Sequence, residues 1–123
     1  MITKEQKIIN TVVDKLPIKV FPEKAILAKL RDSFPGAEIK LDTILEIHSM
    51  VDMGDTGGIA CEVLPLNYDK AKAKVAFLCS ITHFRIKVGE PHFEELESYR
   101  TKRIKKLQQQ NSRMGMFNFP PRR

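Results

Sequence analysis

The chain has 123 residues, 42% of them hydrophobic and 29% charged, a composition ordinary for one soluble domain large enough to build its own core. Its longest apolar runs fall far short of a membrane span and its N-terminus carries no signal-peptide pattern; two cysteines fit reduced thiols, so the expectation is a cytoplasmic protein without a membrane partner. The net charge of +6 is unevenly held: residues 99–123 carry eight basic side chains and no acidic one, leaving 13 basic against all 15 acidic residues elsewhere.

Thr3 followed by Gln6 matches a capping box, and Ile8, Ile9, Val12, Val13 and Leu16 recur at helical spacing, which predicts an amphipathic helix ending before Pro17. Ile18–Phe21 reads as an extended link. Pro22 suits the first turn of a second helix, whose stripe is Ala25, Ile26, Leu30 and Phe34 and whose stop is Pro35-Gly36. Two short helices raise a helix-turn-helix, but the apolar linker from Pro17 to Pro22 is no tight turn, and the second helix lacks a basic face. Packing of both helices onto a sheet is the better account.

The sheet lies between Thr43 and Ile86. Alternating Leu45, Ile47, Val51 and Met53 predict a first strand, Gly54–Gly58 a reversal, Ile59, Cys61 and Val63 a second strand, and Pro65 with Asn67-Tyr-Asp69 another reversal. Lys74–Ile86 is apolar on both sides and reads as a third strand. Matching apolar faces sets Val51 opposite Cys61, Met53 opposite Ile59 and Cys61 opposite Cys79. The predicted core face is then Leu45, Ile47, Val51, Met53, Ile59, Cys61, Val63, Val75, Phe77, Cys79 and Ile81. The other face mixes Glu46, His48, Asp52, Glu62, Ser80 and Thr82 with Met50, Leu78 and Phe84, more apolar than a solvated face requires.

Pro91 opens a last helix with Glu94, Glu95 and Glu97 in its first turns and Lys102, Arg103, Lys105 and Lys106 further along, an order the helix dipole favours. Phe93, Leu96, Arg100, Ile104 and Leu107 form its inward row. Periodicity fades after Gln108. The resulting fold class is α+β in the order α-α-β-β-β-α, a three-stranded antiparallel meander packed against helices on one face, with a short extra strand admissible at Ile18–Phe21 or Glu38–Leu41. Residues 1–110 form one domain and residues 111–123 a flexible basic and aromatic tail.

The candidate functional residues are Arg100, Lys102, Arg103, Lys105, Lys106 and Arg113, which would neutralise phosphates in salt-dependent, sequence-independent nucleic-acid binding. Phe117 and Phe119 beside Arg122 and Arg123 would stack on unpaired bases, which favours RNA, or another polyanion, as the partner. The competing reading is a protein–protein assembly module, a homodimer included, that uses Met50, Leu78 and Phe84 on the mixed face.

Catalysis has weaker signals. Asp55-Thr56-Gly57 is the tripeptide of aspartic-protease catalytic turns, yet Gly54 and Gly58 make it a hairpin loop rather than the end of an apolar strand. His83 and Asp55 would pair only if the loop came to the histidine. No CxxC or HxxxH spacing points to a metal, and no phosphate-cradling or dinucleotide motif occurs, so neither metal nor cofactor is expected. Nucleophile, base and orienting group are nowhere assembled, so an enzyme ranks third, behind the nucleic-acid and assembly readings.

Overall fold

The computed structural model describes residues 2–69 and 77–118, with side chains described as far as Gln109 except that of Asp55. Its order is α1 (Lys4–Val12), β1 (Ile18–Pro22), α2 (Leu27–Ser33), β2 (Leu45–Asp52), the single turn α3 (Gly54–Gly57), β3 (Ile59–Pro65), β4 (Leu78–Ser80), β5 (Phe84–Ile86) and α4 (Phe93–Asn118). The α+β class stands. The sheet has five strands rather than three, ordered β4-β3-β2-β1-β5 with every described pairing antiparallel.

Two features of the chain account for the added strands. Ile18–Phe21 is no mere link: Ile18, Val20 and Pro22 alternate inward, and the segment pairs with β2 on one side and β5 on the other. The long third strand is also broken. Ser80 caps a 3-10 turn at Ile81–His83 by accepting the Thr82 N–H, and this turn divides Leu78–Ile86 into β4 and β5. The two pieces lie on opposite edges of one sheet yet are joined by three residues, too short a link to cross a flat sheet, so the sheet is rolled.

The roll encloses one core. Ile18, Val20, Leu45, Ile47, Ile59, Cys61, Val63, Phe84 and Ile86 line its inner face, and Ile9 and Val12 of α1, Leu30 of α2 and Leu96 of α4 pack against them. The Thr3 cap forms as expected, accepting the Gln6 N–H at 2.9 Å. Helical structure after β1 starts later than Pro22, in a 3-10 turn from Lys24 to Ile26 that runs into α2; Pro22 itself ends the strand.

The register of β2 departs from simple alternation. Ile47 faces Val63, but Ser49 faces Glu62, so β2 carries one extra residue there. That bulge exchanges the faces beyond it. Met50, opposite Cys61, packs against the core, whereas Val51 and Met53, expected inside, are 46% and 56% exposed. Cys61 and Cys79 do face each other, as free thiols. Val75 lies outside the described residues.

Candidate nucleic-acid interface

The inward stripe of α4 consists of Leu96, Tyr99 and Arg103, all buried, with Phe93, Glu97, Arg100 and Ile104 half-buried beside it. Two of the six candidate cations thus turn toward the protein. The Arg100 guanidinium forks onto both carboxylate oxygens of Glu97, at 3.1 and 3.2 Å, and reaches Glu23 at 3.4 Å. Glu23 also meets Arg85 Nε at 3.0 Å, and Arg85 donates to the carbonyls of Pro22 and Leu41. Glu97 completes the chain by accepting the Ile86 N–H of edge strand β5 at 2.8 Å. This ladder fastens α4 to the β1–β5 side of the roll.

Arg103 fastens the other side. Its guanidinium donates to the Thr56 carbonyl at 2.6 Å, so the Asp55-Thr56-Gly57 turn is held by its backbone against α4. Gly58 follows with φ +68°, and a Cβ there would lie 2.6 Å from Arg103 Nε and 2.9 Å from the Tyr99 hydroxyl. Only glycine admits this approach. At the start of α1, Thr3 donates its hydroxyl to Asp52, whose other oxygen accepts the Gly54 N–H. These two contacts hold the Asp52 carboxyl below its ordinary value.

The N-terminal turn of α1, the β2–β3 turn and the middle of α4 therefore meet at one corner. Glu5, 3% exposed, accepts the Tyr99 hydroxyl proton at 3.0 Å. Burial first, and then the bond to Glu5, push the Tyr99 phenol well above its usual range, so it stays protonated and committed to the carboxylate. The Lys4 ammonium stands 5.7 Å above the Tyr99 ring. Around this buried centre lies a cavity of about 160 Å³ lined by Lys4, Glu5, Tyr99, Lys102, Arg103 and Lys106. Among the described residues, Lys4, Lys102 and Lys106 have no ion-pair partner. Lys105 is exposed further round the helix.

Sequence reasoning placed the basic residues on one helix but missed Lys4, which joins them from the opposite end of the chain. A charge count by segment has no means of finding it. The capping box does carry the signal, because it fixes Lys4 and Glu5 in the first turn of α1. The side chain of Arg113, and residues Phe119, Arg122 and Arg123, lie outside those described, as does the side chain of Phe117.

The remaining candidates separate. His83 is half-buried, its carbonyl accepts the Glu23 N–H, and burial followed by the nearby Lys29 charge lowers its pKa. Burial raises the thiols, Cys79 to about 12 and the deeper Cys61 further, which leaves no thiolate for nucleophilic work near neutrality. Ser80 bonds to Thr82 and Ser49 to Glu62, two separate pairs on the outer face. Of the three apolar residues expected on that face, Met50 packs inward, Phe84 is fully buried, and Leu78 is exposed. Among the described residues no group of three or more histidine, cysteine or acidic side chains is placed to hold a metal, and no helix is long and apolar enough to cross a membrane. No protein-family model, curated protein or solved structure matches this chain.

Proposed function

We propose that this α+β protein is a nucleic-acid-binding accessory protein that holds single-stranded RNA, or an equivalent polyanion, along the lysine face shared by α1 and α4. The observation that carries the reading is the convergence of Lys4, Lys102 and Lys106 on one cavity, where the one carboxylate among the described lining residues, Glu5, is already bonded to Tyr99. Such crowding of like charge costs free energy in the unliganded protein, and a phosphate backbone relieves it while releasing its condensed counterions. Arg100 and Arg103 then act through the fold by holding α4 in place. Contact with phosphates falls to Lys4, Lys102, Lys105 and Lys106, and helical spacing carries position 113 to the side of α4 that bears positions 102 and 106.

The test is fluorescence anisotropy of a labelled single-stranded RNA titrated with the full chain over a range of salt. Four lysine contacts predict a slope of log affinity against log salt of about −3, from about −0.7 per phosphate on a single strand. Replacing the four lysines by alanine is expected to abolish binding while the circular dichroism spectrum is kept. Absence of binding at low salt, or a salt-independent affinity, overturns the reading. Tighter binding to duplex DNA would overturn the preference for RNA.

A further inference from the structure

The corner where α1, α4 and the β2–β3 turn meet is a recess rather than a flat basic strip. Its floor is buried, with Glu5, Tyr99 and Arg103 at 3%, 5% and 8% exposure. Lys4, Lys102 and Lys106 stand exposed around the rim. The space between is about 160 Å³, close to the roughly 150 Å³ of a cavity that holds one benzene molecule.

Shape and charge both choose among phosphates. Within a strand each phosphodiester is flanked by two sugars, and to reach the floor it would have to draw both into a space of that size. A terminal phosphate carries one sugar and leads with three free oxygens. Its charge near neutrality, about −1.5 to −2, also exceeds the single charge of a phosphodiester. Among the described lining residues, the three rim lysines against one carboxylate leave the recess an excess suited to a dianion. The floor is firm as well: Tyr99 is bonded to Glu5, Arg103 to the Thr56 carbonyl, and both press on Gly58. A pre-organised site loses little entropy when a ligand is ordered in it.

Resting on the nucleic-acid reading above, we infer that this recess is a phosphomonoester pocket that takes the terminal phosphate of a single-stranded nucleic acid, while Lys105 and the outer turns of α4 serve the adjoining backbone. Lys4, Lys102 and Lys106 donate to the three terminal oxygens. Glu5 lies below them and keeps the phenol in position.

The experiment compares two labelled RNA dodecamers of one sequence, one ending in a 5′-phosphate and the other in a 5′-hydroxyl, on the full chain. The phosphorylated oligomer is expected to bind about tenfold tighter, the lower end of what a charge-assisted contact supplies. Lys4→Ala and Lys106→Ala are expected to bring that ratio close to one. Lys105→Ala weakens both oligomers equally and keeps the ratio, and Lys40→Ala, remote from the pocket, changes neither. Uridine 5′-monophosphate and inorganic phosphate are titrated separately while the resonances of Tyr99 and Lys106 are followed by NMR. Equal affinity for the two dodecamers overturns the terminal pocket and leaves backbone binding standing. Shifts with the monophosphate but no binding of either RNA would sink the nucleic-acid reading, and with it the nucleic-acid end as the pocket's ligand. Shifts with inorganic phosphate alone, and no preference between oligomers, would overturn the proposal in favour of a free-anion site.

Discussion

Gly58→Ala probes the corner on which both the fold and the pocket depend. The residue has φ +68° and ψ −140°, a conformation that L side chains rarely adopt, and forcing alanine into it costs about 1–3 kcal/mol. The added methyl group would also sit 2.6 Å from Arg103 Nε, 2.9 Å from the Tyr99 hydroxyl and 3.0 Å from Arg103 Cζ. Ordinary contact begins near 3.5 Å, so both side chains would have to retreat, and overpacking of this kind costs about 1–3 kcal/mol more. Neither retreats freely, because Arg103 is bonded to the Thr56 carbonyl and Tyr99 to Glu5. The expected loss is about 4 kcal/mol in all, a fall in Tm of roughly 15 °C for a domain of this size. Gly89→Ala is the comparison: its φ is +95°, but nothing lies within 4 Å of the added atom. That variant should lose only the conformational part, about 1–2 kcal/mol and roughly 5 °C. Thermal unfolding followed by circular dichroism reads both. Equal shifts in the two variants would refute the claim that α4 is clamped onto the β2–β3 turn.

Arg100→Met should cost about 2 kcal/mol in urea unfolding, since Glu97 and Glu23 lose the guanidinium between them; an unchanged midpoint would show the ladder to be idle. The double replacement with Glu23→Gln should fall short of the sum of the two single losses, because the residues share one network. At pH 8 a thiol with a pKa of about 12 is ionised to the order of one part in ten thousand, so Cys79, and Cys61 more so, should label slowly with a disulfide reagent in the native protein and at once in guanidinium; rapid native labelling would contradict their burial. The folded Asp52 carboxyl is lowered from 3.8, so the unfolded chain binds its proton first as pH falls. Its contribution is present above that value and is lost as pH drops through the lower folded one. Asp52→Asn should therefore flatten the acid limb of Tm against pH, and an unaltered limb would count against the contacts with Thr3 and Gly54. Leu30→Ala, which empties a fully buried site on α2, should cost about 3 kcal/mol, and a loss below about 1 kcal/mol would be inconsistent with that packing.

Much of the fold is legible in local chemistry. The Thr3 cap, the inward Ile9 and Val12 of α1, the glycine turn and the pairing of Cys61 with Cys79 follow from pattern, whereas Val13 of the expected stripe is 49% exposed. What escapes is set by tertiary geometry. The extra residue between Ile47 and Ser49 leaves no mark in an alternating sequence, yet it turns Met50 inward and Val51 outward. The short strand at Ile18–Phe21 is admissible from its sequence, but its place between β2 and β5 is not. The continuous apolar run ending at Ile86 hides the 3-10 turn by which one strand serves two edges.

The basic helix divides along similar lines. Lys102, Lys105 and Lys106 point outward as the charge pattern implies, whereas Arg100 and Arg103 find partners that lie 77 and 47 residues earlier in the chain. Composition registers all five alike. Only the surroundings tell a charge that faces outward from one that holds the protein together.

The bond from Glu97 to the Ile86 N–H has a consequence for how the protein behaves when partly unfolded. A bare strand edge is a template for another chain, and globular proteins shield such edges or suffer polymerisation. Here a side chain of α4 occupies the donor that a sixth strand would claim, so the helix sheathes β5. A molecule whose α4 has peeled away, through truncation upstream of residue 93 or loss of the Arg100 ladder, uncovers β5. Self-association by strand addition then competes with refolding, and the lysine face of α4 departs with the sheath.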